Sequence, residues 1–83
     1  MEFKSLRPGA VDRTVAGRLN AGKGQADAVL IDARGSGLHE DQATRGIALF
    51  SSYRYAHRLK TCRIVGDEFD TGWILLSGDD DGR

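Results

Sequence analysis

Hydrophobic positions along the chain follow the two periods that distinguish strands from helices. The clearest segment is residues 28–31, Ala-Val-Leu-Ile, which is apolar throughout and is bounded by Asp27 and Asp32. A short continuous apolar run predicts a strand that is covered on both faces. Residues 61–65, Thr-Cys-Arg-Ile-Val, predict a second short strand.

Two other segments show the helical period. Apolar residues recur three or four positions apart from Val11 to Leu19, and glycines follow them, which predicts a helix over residues 11–21. The second predicted helix begins near Leu38 or His39 and runs to about Leu59. Cations in its last turns favour a helix C-terminus there.

The predicted segments near the two ends of the chain are shorter than these helices. Residues 2–6 alternate polar and apolar and predict a strand with Phe3 facing the core, and residues 73–76 predict a further strand or a packed coil. The order of elements predicts an α/β fold, with a small three- to four-stranded mixed sheet and two helices, in one domain over residues 1–76. Residues 77–83, rich in Gly and Asp, are predicted to be an acidic disordered tail.

Charge changes this picture by separating the chain into two parts. The net charge is zero, yet residues 1–63 hold eleven Lys and Arg against six Asp and Glu, and the remaining residues hold one Arg against six acids. A basic body suits a polyanionic ligand such as nucleic acid. Arg34 and Arg63 are the cations that we expect to neutralise neighbouring phosphates, although no motif assigns them that role.

Size and cysteine content limit the classes of protein. Eighty-three residues suffice for one small domain, which a partner or a second copy in a homodimer would stabilise further. The single cysteine, Cys62, excludes an intramolecular disulfide and is expected to be a small buried apolar residue. We expect a cytoplasmic protein without membrane contact, because no apolar segment approaches the length of a membrane span.

The stretch Glu2-Phe3-Lys4 is the first candidate site. Residues two apart on a strand share a face, so Glu2 and Lys4 should lie side by side. A carboxylate beside an ammonium is the smallest set of groups for metal-dependent phosphodiester hydrolysis, and it is also a common surface ion pair.

Other residues have competing interpretations. Asp32, at a strand end, is a candidate metal ligand or base, but capping of the following loop is the favoured interpretation. The segment Gly35-Ser36-Gly37 is read as a turn, since it lacks the lysine of a phosphate-binding loop. Tyr53 and Tyr55 cannot share one helix face; Tyr53 is expected to pack on the core, which leaves the other ring to stack on a base.

Several of these segments together resemble one family, the C-terminal nuclease domains of contact-dependent growth inhibition toxins and related polymorphic bacterial toxins. Those domains have the PD-(D/E)xK nuclease fold, and several cleave transfer RNA. The resemblance covers nearly all of residues 2–73 and is carried by Glu2-Phe3-Lys4, Lys23-Gly24-Gln25-Ala26-Asp27, Val29-Leu30-Ile31-Asp32, Arg34-Gly35-Ser36-Gly37, Ala43-x-Arg45-Gly46-Ile47 and Arg63-Ile64-Val65-Gly66-Asp67.

The resemblance implies roles for three residues. Glu2 would ligate Mg²⁺ or another divalent cation, and Lys4 would orient or help deprotonate the attacking water and stabilise charge on the phosphate. Gln25 would contact the scissile phosphate or the water. The resemblance also implies an exported toxin that acts in the cytoplasm of a target cell, and a cognate immunity protein as partner.

One departure from the family pattern affects these expectations. The fold normally supplies further acidic ligands upstream of the half-motif, and Met1 opens this sequence. We therefore expect a C-terminal portion of a longer toxin nuclease, a module that has lost catalysis, or a subunit whose site a partner completes. The alternative is a non-catalytic α/β module that binds a protein or nucleic acid through its basic face, as a homodimer.

Overall fold

A computed structural model describes residues 1–76, so the predicted acidic tail at 77–83 lies outside the described residues. Four strands and two helices follow one another with a short 3-10 turn at Ala56–Arg58. They are β1 (Glu2–Ser5), α1 (Asp12–Gly22), β2 (Ala28–Asp32), α2 (Glu40–Ser51), β3 (Thr61–Val65) and β4 (Ile74–Leu75). The predicted small α/β fold with a mixed sheet and two helices is confirmed at this level.

The sheet has the strand order β1-β2-β3-β4. The first three strands are parallel, and β4 is antiparallel to β3. Each parallel connection contains a helix, and right-handed crossovers in one direction place both helices on the same face of the sheet. The two helices pack closely: a Cβ at Gly46 of α2 would lie 2.6 Å from Cβ of Val15 in α1. The fold is therefore one helical layer on one sheet.

The core lies between these two layers. Its largest fully buried side chains come from both helices, from β2 and β3, and from the segment just before β3: Phe50, Leu19, Ile31, Leu59, Ile64, Val15, Val29 and Cys62. Within β2 and β3, burial alternates, so that one set of side chains faces the helices and the other faces the uncovered side. The expectation that β2 is covered on both faces is wrong, because both helices lie on one side.

The orientation of β1 was also predicted wrongly. Phe3 is 56% exposed, whereas Glu2 and Lys4 point toward the helical side. The register explains this, because Glu2 is paired with Val29 and Lys4 with Ile31, both of which face the helices. Phe3 is paired with Leu30 and shares its uncovered face.

The second helix ends at Ser51, eight positions before its predicted end near Leu59. Ser51 and Ser52 bond back to the carbonyls of Ile47 and Leu49, and such bonds compete with helix continuation. Continuing at about 3.6 residues per turn would place Leu59 opposite Phe50 on the helix. Both are fully buried, so the chain must turn between them.

The burial of Cys62 and the length of the two helices are two further features of the fold. Cys62 is buried as predicted, and this burial raises the pKa of its thiol to about 11. Within residues 1–76, neither helix has the length and apolar character needed to cross a bilayer.

Candidate functional site

The three residues of the predicted catalytic set lie together at the β1 edge of the sheet. The Lys4 ammonium Nζ lies 3.4 Å from Oε2 of Glu2 and 3.4 Å from Oε1 of Gln25. The side chain of Lys4 is only 18% exposed and that of Glu2 33%. A carboxylate, an ammonium and an amide from two separate chain segments therefore meet at one position, which we call the β1-edge site. Glu2 and Lys4 are partly buried there, whereas Gln25 is exposed.

The backbone around the β1-edge site explains how Gln25 reaches Lys4. Glu2 and Lys4 project from the same face of β1 because they are two residues apart. Gln25 follows α1, in a turn where its amide N–H donates to the carbonyl of Gly22. Gly22 sits directly on β2, since a Cβ there would come within 2.5 Å of the Val29 side chain. Helix α1 therefore ends against the sheet beside Glu2 and delivers Gln25 to the edge.

The chemistry of the β1-edge site follows from its donors and acceptors. A lysine ammonium has three N–H donors, so Lys4 can bond an incoming phosphate or water while it keeps both present partners. Glu2 offers carboxylate oxygens, which hard divalent cations prefer. Within residues 1–76 there is no group of three or more His, Cys, Asp or Glu side chains that could hold a metal ion. Glu2 fits one position of a Mg²⁺ shell, and water and substrate phosphates are the usual remaining ligands.

The two arginines predicted to bind phosphate lie elsewhere. Arg63 is on the uncovered face, in the row formed with Leu30 and Phe3, and Arg34 is just beyond the end of β2. Both help line a hollow of about 200 Å³ on that face. The structure does not bring them into contact with Lys4, which faces the helices.

Each of these arginines already has a carboxylate partner. Arg34 makes two bonds to Asp32, with Nε to Oδ1 at 2.9 Å and Nη2 to Oδ2 at 3.0 Å. Arg63 makes a similar two-bond pair with Asp70. The guanidinium groups lower the pKa of Asp32 and of Asp70 to about 2. A phosphate would have to compete with these carboxylates for both cations.

The glycine-rich loop after β2 is stabilised internally, which supports its interpretation as a turn. Asp32 accepts a bond from the backbone N–H of Arg34 at 3.1 Å, as expected for a loop cap. The carboxylate of Asp67 accepts the N–H of Gly35 at 3.0 Å. The hydroxyl of buried Ser36 donates to the carbonyl of Ala33. Acidic side chains also line a neighbouring hollow of about 310 Å³, so this end of the sheet disfavours phosphate.

A basic cluster that was not predicted from the sequence lies at the opposite end of the sheet. Arg54 and Arg58 are among the cations expected in the last turns of the long second helix, but the chain turns at Tyr55 and both are exposed. The Arg58 guanidinium carbon lies 4.6 Å from the centre of the Tyr55 ring. The signal that was available is an aromatic residue with arginines one position before and three after it.

The packing of the two tyrosines follows the expectation. Tyr53 is half-buried and meets Phe50 edge-on, with ring centres 6.1 Å apart, whereas Tyr55 is 48% exposed.

The chain matches no protein-family model, no curated protein and no solved structure.

Proposed function

We propose that the β1-edge site is part of a metal-dependent phosphodiesterase that acts on RNA, with transfer RNA as the expected substrate, or on DNA. The observation that supports this most is the meeting of Lys4 with Gln25, which is distant in the sequence, and with Glu2. An isolated surface ion pair would need no third polar partner, and its ammonium would be more exposed than the 18% of the Lys4 side chain.

The residues divide the work of hydrolysis among them. Lys4 donates to a non-bridging phosphate oxygen and so stabilises the charge that grows there as a water oxygen bonds to phosphorus and the ester bond to the leaving oxygen breaks. The attacking water releases one proton to bulk solvent, and the leaving oxygen takes one proton from bulk solvent. Gln25 holds the Lys4 ammonium and can orient the water. Glu2 provides a carboxylate ligand, and a bound divalent cation supplies Lewis-acid stabilisation of the phosphoryl group.

Two measurements test this proposal. Wild-type chain is incubated with transfer RNA and with DNA in Mg²⁺ or EDTA, and we expect cleavage only with Mg²⁺. In parallel, Mn²⁺ should broaden the NMR amide signals of Glu2 and Lys4 and should lose this effect in Glu2→Gln. Broadening without cleavage would overturn hydrolysis by this chain while retaining the ligand role of Glu2. Absence of both would contradict the proposal entirely.

A second candidate function rests on the uncovered face of the sheet. Phe3 and Leu75, 56% and 71% exposed, leave apolar side chains on that face, and the paired charges of Arg63 and Asp70 add no net charge. Such a face suits a protein better than a polyanion. Here we propose a second copy of the chain, because a face with paired charges of both signs is complementary to itself under two-fold symmetry. A cognate immunity protein is the other candidate occupant.

A further inference from the structure

The turn between α2 and β3 presents a cluster that the proposed hydrolysis does not use. Arg54, Tyr55, His57 and Arg58 are all exposed there, and we call them the Tyr55 platform. Both guanidinium groups approach the ring, with the Arg54 carbon at 6.0 Å and the Arg58 carbon at 4.6 Å from its centre. The His57 ring meets it edge-on at 6.3 Å. One aromatic ring is thus surrounded by three basic side chains.

The backbone at Tyr55 is held in an unfavourable conformation. Its φ of 68° and ψ of 16° are left-handed, and it is the only non-glycine residue with a positive φ among residues 1–76. Bulky residues rarely adopt this conformation, and such outliers concentrate at functional positions. The result here is that the Tyr55 ring points outward while Tyr53 packs inward.

The charge of the platform is uncompensated within the described chain. Three other arginines, Arg34, Arg45 and Arg63, are each paired with a carboxylate. Arg54 and Arg58 form no ion pair with any of residues 1–76. The hollow of about 310 Å³ that acidic side chains line lies beyond the other end of the strands, at the start of α2. A polyanion would therefore be attracted to this end of the molecule more than to the acidic side chains at the start of α2.

The platform lies at the same end of the sheet as the segment that carries Gln25. The N–H of Lys60, just after the platform, donates to the carbonyl of Asp27 at 2.8 Å. This bond joins the start of β3 to the turn that precedes β2. A nucleic-acid strand bound at the Tyr55 platform could therefore extend toward the β1-edge site along one end of the sheet.

We infer that the Tyr55 platform binds single-stranded nucleic acid, with an unpaired base stacked on Tyr55 and its phosphates on Arg54 and Arg58. Stacking on an exposed aromatic ring requires a base that is free of its partner, which excludes a regular duplex. The inference deepens the proposed function by naming the form of its substrate. The identification of nucleic acid as the ligand rests on that proposed function and on the charge and aromatic ring of the platform.

Binding is measured without cleavage, by fluorescence anisotropy of a labelled single-stranded uridine oligomer in EDTA. We expect Tyr55→Gly to weaken binding about 5- to 100-fold, as for loss of one stacked base, and Tyr55→Phe to stay within about twofold. Arg58→Gln should weaken binding and reduce the salt dependence by about one released counterion. Arg13→Gln, an exposed arginine at the other end of the sheet, is the matched control and should bind as wild type.

The glycine variant also separates binding from folding. Glycine favours a positive φ, so Tyr55→Gly should unfold at the same or a higher denaturant concentration than wild type. Equal binding by Tyr55→Gly and wild type would overturn the stacking role. Equal weakening by Arg13→Gln and Arg58→Gln would overturn a localised site in favour of diffuse charge.

Competitors identify the form of the ligand. Unlabelled single strand should displace the probe at lower concentration than duplex or inorganic polyphosphate, and equal displacement by polyphosphate would overturn base recognition. The outcome is independent of catalysis. Tight binding by a chain that does not cleave would contradict only the proposed hydrolysis. Cleavage that is unaffected by Tyr55→Gly would contradict only the proposed role of the Tyr55 platform.

Discussion

The Lys4 ammonium lies 3.4 Å from the amide oxygen of Gln25, 21 positions further along the chain. Helix α1 returns the chain from the end of β1 to its beginning, and the turn after the helix then places Gln25 beside the strand on which Lys4 lies. The β1-edge site therefore depends on the position of α1. Changes that move α1 should affect the site without touching its residues.

The contact between the two helices gives a first prediction. A Cβ at Gly46 would lie 2.6 Å from Cβ of Val15 and 2.7 Å from the carbonyl oxygen of Asp12, so Gly46→Ala forces α1 away from α2. We expect a loss of about 1–3 kcal/mol in the free energy of unfolding, measured by urea denaturation.

Gly17→Ala is the matched control for this change. It lies within α1, and a Cβ there would have no neighbour within 4 Å. Replacing an exposed helical glycine by alanine should stabilise the protein by about 0.5–1 kcal/mol. Equal stability changes of the two variants would contradict the described helix packing.

The paired arginines predict a loss of stability in acid. Asp32 and Asp70 have ordinary pKa values of 3.8 that fall to about 2 in the folded protein, because Arg34 and Arg63 bond to their ionised forms. Between these values the unfolded chain binds more protons, so stability rises with pH. The contribution is present above about pH 4 and is lost as pH falls toward about 2. Urea midpoints measured across this window should fall less steeply for Asp70→Asn than for wild type.

Burial predicts the reactivity of Cys62. Its side chain is fully buried, and the pKa of its thiol is raised to about 11, so the nucleophilic thiolate is scarce at neutral pH. Reaction with a coloured disulfide reagent should be slow in the native protein and fast in guanidinium chloride. Rapid reaction under native conditions would show that β3 is not covered by the helices as described.

The uncovered face predicts self-association that depends on Phe3. In sedimentation equilibrium, the wild type should show a dimer that Phe3→Ser shifts toward monomer at the same concentration. Val11→Ser is the control, since Val11 is 41% exposed and caps α1, which lies in the helical layer and not on the uncovered face. A wild-type chain that stays monomeric throughout the concentration range would exclude the second copy as the occupant of this face.

Local patterns predicted the elements of this fold more readily than their orientation. The apolar run of β2, the periodicity of α1 and the loop cap by Asp32 depend on neighbouring residues, and all three agree with the structure. Phe3 was placed on the wrong face because the covered face of β1 depends on its register with β2 and on both helices lying on one side.

The environments of Arg63 and Tyr55 also could not be predicted from local patterns. The pairing of Arg63 with Asp70 requires the chain after β3 to turn back at the bridge between Val65 and Asp70, and no local pattern encodes that approach. The exposure of Tyr55 depends on where α2 ends. That end is set by the burial of Leu59 together with Phe50, which is a property of the whole core.

The most direct test of the β1-edge site is the rate of Mg²⁺-dependent cleavage by Lys4→Met compared with Lys23→Met. Methionine keeps an apolar stem of similar length, and Lys23 bonds a helix carbonyl near Gln25 without contacting the site, so it controls for loss of a nearby positive charge. We expect a fall of at least about 100-fold for Lys4→Met, as for removal of a donor to the developing charge, and little change for Lys23→Met. Equal cleavage rates for the two variants and wild type would contradict this expectation.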